Sequence, residues 1–221
     1  MAITDYSYLD AADATGRVFP TTVKPSRIQV TIDQPTLVST TNSLTSQRRS
    51  LGAHRIELDY TYAPMTANEM QPFIAFFNAM QGQGKAFKLN VPKELINDTT
   101  HIADSSTHTS TASYAVGVRE VTVDGFGNNL STAIKGGNMI QFSNHDKIYI
   151  VSASGGSDGS GNCKIRFEPA LLTAITSSQT LNTFNQDIPM HVIFASDKIQ
   201  FDVDSALLYG FKVKFVEQWT N

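Results

Sequence analysis

The chain has 221 residues and a formal net charge of −3, with 41 % hydrophobic and 17 % charged residues. That length holds one large β domain or two smaller ones, and the charge balance excludes the usual nucleic-acid binder, which needs clustered Lys and Arg to replace phosphate counterions. The single cysteine, Cys163, excludes an intrachain disulfide scaffold and a Cys-rich zinc site.

Residues 1–25 are polar, carry Gly16, Pro20 and Pro25, and read as an arm in which Tyr6, Tyr8 and Leu9 are the docking candidates. The first residues show neither the positive charge nor the apolar run of a secretory leader, and no stretch approaches eighteen apolar residues. Folding in a reducing cytoplasm without a membrane span is therefore expected. Ile28, Val30 and Ile32 alternate with Gln29, Thr31 and Asp33, which predicts a strand with one buried face. Residues 36–52, rich in Ser and Thr and carrying Arg48 and Arg49, are a long polar loop or a protruding hairpin. In residues 54–62, Ile56, Leu58, Tyr60 and Tyr62 share one face, and Arg55, Glu57, Asp59 and Thr61 share the other.

A helix is predicted over 66–81. Thr66 and Glu69 form a capping box, Met70, Phe73, Ile74, Phe77 and Met80 make an apolar stripe, and Gly82 supplies the stop. Pro72 conflicts with a straight helix there. It implies either a kink or a start near Gln71 with Pro72 in the first helical position. Phe87, Leu89 and Val91 give the next strand, ended by Pro92. The Thr/Ser-rich stretch 97–115 reads as a linker. Strands follow at 116–123, 138–142, 147–152 and 163–168, at the spacing of a small barrel or sandwich. Residues 171–185 read as a polar connection, and the chain closes with strands at 189–194, around 199–203, and around 211–215. The expectation is an all-β protein with one helix. Residues 1–96 and 196–221 form a β-sandwich domain, and 97–195 form an inserted barrel or sandwich.

No constellation supports catalysis. Gly155-Gly156-Ser157-Asp158-Gly159 matches the nucleophile-elbow pattern, but a strand rather than a helix follows it, so a hairpin loop is expected. Asp158 to Asn162 has one carboxylate where a calcium loop needs several oxygen ligands. His54, His101, His108, His145 and His191 fall in no metal-ligand spacing. Glu57 and Asp59 share their strand face with Arg55, which predicts a salt-bridged outer face rather than an acid–base pair. Gly82-Gln83-Gly84-Lys85 follows a helix, the wrong end for an anion. No metal or cofactor is implied.

The stretch 47–91 carries a recognisable order: the Gln47-Arg48-Arg49 loop, HRIELDYTYAPMT at 54–66, and EMQPFIAFFNAMQGQGKAFKL at 69–89. It resembles the N-terminal domain of distal tail proteins and related baseplate proteins of long-tailed bacteriophages. Residues 117–171 resemble an insertion found in such proteins, and YGFKVKFVEQW at 209–219 resembles their closing strand. The resemblance implies a non-enzymatic virion protein of the phage tail, assembled in the bacterial cytoplasm. Such a protein forms a ring, of six copies in this family, at the distal end of the tail tube. Its implied partners are sister copies, the tail tube protein, the hub or tip protein and the tape measure protein, with DNA only in transit and no membrane. Arg48, Arg49, Arg55, Glu57 and Asp59 are the candidate contacts. The alternative is a carbohydrate- or receptor-binding β-sandwich of a tail tip, with Tyr149 and Trp219 as the aromatic platforms.

Overall fold

A computed structural model describes residues 17–52, 54–92, 107–182 and 188–219. The expected docking residues Tyr6, Tyr8 and Leu9, the histidine at 101, and the first part of the expected linker, 97–106, lie outside these residues. The fold is mostly β with a single α-helix, and the chain divides into two compact units. One joins residues 1–89 to 191–218, and the other joins 90–190 to 219–221.

The first unit is built on β1 (Arg27–Asp33), β4 (Arg55–Thr61), β5 (Phe87–Val91), β12 (Ile188–Phe194) and β14 (Tyr209–Glu217). They pair in the order β1-β4-β14-β12-β5, and β13 (Phe201–Val203) adds to β14. Helix α1 (Ala67–Met80) covers the inner face. The capping box is as read from sequence, with the Thr66 backbone N–H donating to Glu69 Oε2 at 2.8 Å. The helix begins at Ala67, not Gln71, so Pro72 lies inside it. The carbonyl that loses its ladder bond belongs to Asn68, in an exposed turn open to solvent.

The buried stripe is Met70, Phe73, Phe76, Phe77 and Met80, while Ile74 is only half-buried. Phe76 contacts Phe87 and Phe194, and Phe73 contacts Tyr62 and Phe211. Gln81, at φ 58°, and the expected stop residue Gly82 are both left-handed and end the helix together. Gly82, at φ 63°, is needed because the backbone there meets Asp197. A Cβ would stand 2.7 Å from its Oδ1, which accepts the Gln83 N–H at 2.9 Å. Phe19, from the stretch read as a polar arm, is buried at the centre of the aromatic cluster, 4.9 Å from the Phe215 ring. Its neighbours Arg17 and Val18 pair along β5 at Lys88.

The second unit is a closed barrel, ordered β10-β7-β6-β11-β8-β9. Its strands are β6 (His108–Ser110), β7 (Glu120–Asp124), β8 (Met139–Phe142), β9 (Ile148–Ala153), β10 (Cys163–Glu168) and β11 (Thr180–Asn182). Two strands correct the sequence reading: β6 lies in the expected linker and β11 in the expected polar connection. Neither shows apolar alternation, because polar side chains close this part of the barrel. Ser110 Oγ donates to the Thr176 carbonyl at 2.7 Å and accepts the Gln179 N–H at 3.0 Å. The strand expected from 116 begins only at Glu120, since residues 116–119 form no ladder.

Phe76→Ala should cost about 3–5 kcal/mol of stability in urea unfolding, and Ile74→Ala clearly less. Equal losses would contradict this assignment of the buried stripe.

Candidate functional site

The first unit's sheet is wider than the cover placed over it. In an antiparallel ladder, directly opposed residues point to the same face. Ile28, Val30 and Ile32 of β1 oppose Tyr60, Leu58 and Ile56 of β4. They therefore continue the core face, as their alternation predicts. The three β4 residues are buried, but Val30 is 36 % and Ile32 47 % exposed. The expectation that this face of β1 is buried fails within one chain. The outer edge of β1 carries no partner strand among the described residues.

Beyond β1 the chain makes a two-stranded ribbon, β2 (Thr36–Thr40) and β3 (Ser46–Ser50), paired from Thr36↔Ser50 to Thr40↔Ser46. Every residue of both strands is exposed. Thr41 and Leu44 form its turn, and the Leu44 side chain is 85 % exposed. A lone hairpin is marginal in water, and this one has no hydrophobic face of its own to rest on. Leu37 opposes Arg49 and Val38 opposes Arg48, so each face carries one aliphatic and one cationic side chain.

The five candidate contact residues fall in two places. Arg48 and Arg49 lie on this ribbon. Arg55, Glu57 and Asp59 share the outer face of β4, where they form a charge ladder with β14. Lys214 Nζ lies 2.7 Å from Glu57 Oε2, and Arg55 Nη2 lies 3.3 Å from Glu57 Oε1 and 3.9 Å from Asp33. Lys214, hydrogen-bonded to Glu57, holds that carboxyl below its usual range, and Glu57 in turn raises Lys214. Exposed pairs of this kind are worth about 0–1 kcal/mol each, so the face is solvated structure. Sequence reading missed Lys214 because the pairing of β4 with β14 bridges about 150 residues of chain and leaves no local signal.

The sequence motifs with catalytic overtones are occupied structurally. Ser157 Oγ donates to the Gly127 carbonyl and accepts the Leu130 N–H at 2.9 Å, pinning two loops together. Asp158 accepts backbone N–H groups from Asn162 and Ser160, which hold its carboxyl below the usual range. Burial raises the Cys163 thiol to about 11, so the thiolate is scarce at neutral pH. Among the described residues no group of three or more His, Cys, Asp or Glu side chains could hold a metal ion, and no helix is long and apolar enough to cross a membrane. Tyr149 is buried in the barrel core, so it offers no platform to a sugar. Trp219 is half-buried, with Lys147 Nζ 4.0 Å from its ring centre.

His54 is buried in the first unit, and His108 stacks on Phe126 in the barrel with 4.3 Å between ring centres. His145 lies in the turn between β8 and β9 and is also a structural link in the barrel. Its Nδ1 lies 2.8 Å from Asn144 Oδ1 and its Nε2 lies 2.8 Å from Tyr149 Oη. Asn144 Nδ2 donates to the Ala174 carbonyl at 2.9 Å, which leaves Oδ1 to accept, so the proton belongs on Nδ1 and the tyrosine hydroxyl donates to Nε2. No protein-family model matches this chain, and no curated protein matches it.

Burial lowers the His145 imidazole below its ordinary range. The unfolded chain therefore takes up this proton at a higher pH than the folded barrel does. The stability that neutral His145 contributes is complete above about pH 6.5 and is lost as pH falls through the folded-state value. Thermal unfolding at pH 7.5 and pH 5 should show a drop in barrel stability that His145→Gln reduces; equal drops in the two chains would contradict this.

Proposed function

We propose that this chain is a non-enzymatic structural subunit of a bacteriophage tail. It assembles through its first unit into a ring at the distal end of the tail tube and joins the tube to the hub or tip protein. The observation that carries this reading is the uncovered end of the core. β1 exposes Val30 and Ile32 on the face whose β4 partners Leu58 and Ile56 are buried, and the chain then runs into a ribbon whose strand residues are all exposed. Covering a Val, Leu or Ile completely is worth about 1.5–3 kcal/mol, so a neighbour that covers β1 and the ribbon gains several such increments at once.

The order of motifs at 47–91 and 209–219, similar to that of distal tail proteins, supports the tail assignment. Those stretches supply β4, α1, β5 and β14, the frame of this sheet. The low content of charged residues also suits a surface that sister copies, tube protein and hub protein cover in turn. Arg55, Glu57 and Asp59 lie on the solvated face, where they steer association more than they hold it.

Native mass spectrometry of the full chain should show one discrete ring oligomer, visible as an annulus in negative stain. Val30→Asp with Ile32→Asp should release folded monomer, because both side chains are exposed in the single chain. A wild-type chain that stays monomeric and binds a glycan array would overturn the reading in favour of receptor binding.

A further inference from the structure

Two ribbons leave the first unit, and they leave from opposite corners. β1 runs from the Thr61 end of β4, where Arg27 sits, to its Arg55 end, where Asp33 sits. The β2–β3 ribbon therefore springs from the Arg55 end, on the outer flank of the sheet. β14 lies on the other flank of β4, with Lys212 opposite Thr61 and Val216 opposite Glu57. Its first residues run past the Thr61 end and carry β13, with Phe201 opposite Phe211 and Val203 opposite Tyr209. Residues 62 and 65 bond to β14 from the β4 side there, so β13 occupies the far edge.

The two ribbons are opposite in charge. The segment 34–52 holds Arg48 and Arg49 and no carboxylate, whereas 201–210 holds Asp202 and Asp204 and no cation. None of the four forms an ion pair among the described residues. Both ribbons also expose apolar side chains: Leu37, Val38 and Leu44 on one, Phe201, Val203 and Leu207 on the other. Asp202 opposes Gly210, and the space where Gly210 would carry a Cβ is empty to 4 Å. That face carries Asp202, with Lys212 beside it on β14, and is open to close approach at Gly210, while Phe201 and Tyr209 meet on the opposite face, 5.8 Å between ring centres.

The geometry points to a head-to-tail contact in which the Arg48/Arg49 ribbon of one copy docks on the Asp202/Gly210 face of the β13–β14 ribbon of the next. This rests on the ring reading above and names the surfaces that meet. Two different patches at opposite corners make a heterologous contact, the type that propagates around an axis and closes into a ring. Pairing either ribbon with its own copy would set arginine beside arginine or aspartate beside aspartate, which is disfavoured.

Charge exchange in the full chain tests this, with oligomer size followed by native mass spectrometry and light scattering over a dilution series. One variant carries Arg48→Asp and Arg49→Asp. The second carries Asp202→Lys and Asp204→Asn; asparagine keeps the side-chain oxygen that accepts the Ala206 and Leu208 N–H groups at 2.9 Å each. The third carries all four substitutions. Each pair of substitutions alone should weaken assembly at least about tenfold, and the four together should restore it, as should an equimolar mixture of the first two variants. Circular dichroism checks that each variant is folded. A wild-type ring indifferent to both charge swaps, or a loss that the combined chain fails to recover, would overturn this contact and leave the ring reading standing. A wild-type chain that is monomeric at every concentration would overturn both.

Discussion

An apolar sheet face has to be covered along its whole width, and in this chain one helix does not reach the last strand. Helix α1 lays Phe73, Phe76 and Phe77 over the sheet, with Phe19 wedged among them, and their ring contacts run to β5, β12 and β14. β1 lies beyond β4 at the other end of the strand order, where Val30 and Ile32 stay exposed. The local chemistry of β1 is nevertheless that of a core strand. The mismatch between its pattern and its exposure is what separates an unfinished sheet from an ordinary polar edge, which natural proteins blunt with charge, proline or bulges.

The two units handle polarity in different ways. The first keeps Glu57, Lys214 and Arg55 on its outer face, where they neutralise one another in solvent, and buries Glu217, which accepts the Ile56 N–H at 3.0 Å. The second admits polar groups into its wall. Ser110, His145 and Tyr149 are each held by specific hydrogen bonds, and the Leu172 N–H completes the tyrosine's set at 3.1 Å. Closure leaves the barrel no strand edge, whereas the first unit's sheet is open at β1 among the described residues.

Periodicity made much of this legible. The alternation in β4, β5 and β10 and the capped stripe of α1 were readable because each element has one buried face and the sequence states which. Other parts carried no local signal. β6 and β11 are short polar strands whose ladder is set by partners about 15 to 70 residues away. Phe19 sits in a polar stretch and is buried only because β5 passes beside it. The exposure of Val30 and Ile32 was also illegible, since alternation marks an apolar face without saying what covers it. Asp202 and Asp204 were passed over for a related reason: their significance depends on the corner of the sheet from which their ribbon projects.

The account stands on the claim that β1 and the β2–β3 ribbon are completed by another copy of this chain. Amide hydrogen exchange of residues 27–50, measured on concentrated and on highly diluted protein, tests it most directly. Exchange that is slow when concentrated and fast when diluted, while β4 and α1 stay protected throughout, is the expected result. Rapid exchange of the ribbon at every concentration would mean that it has no partner, and slow exchange at every dilution would mean that the single chain already covers it.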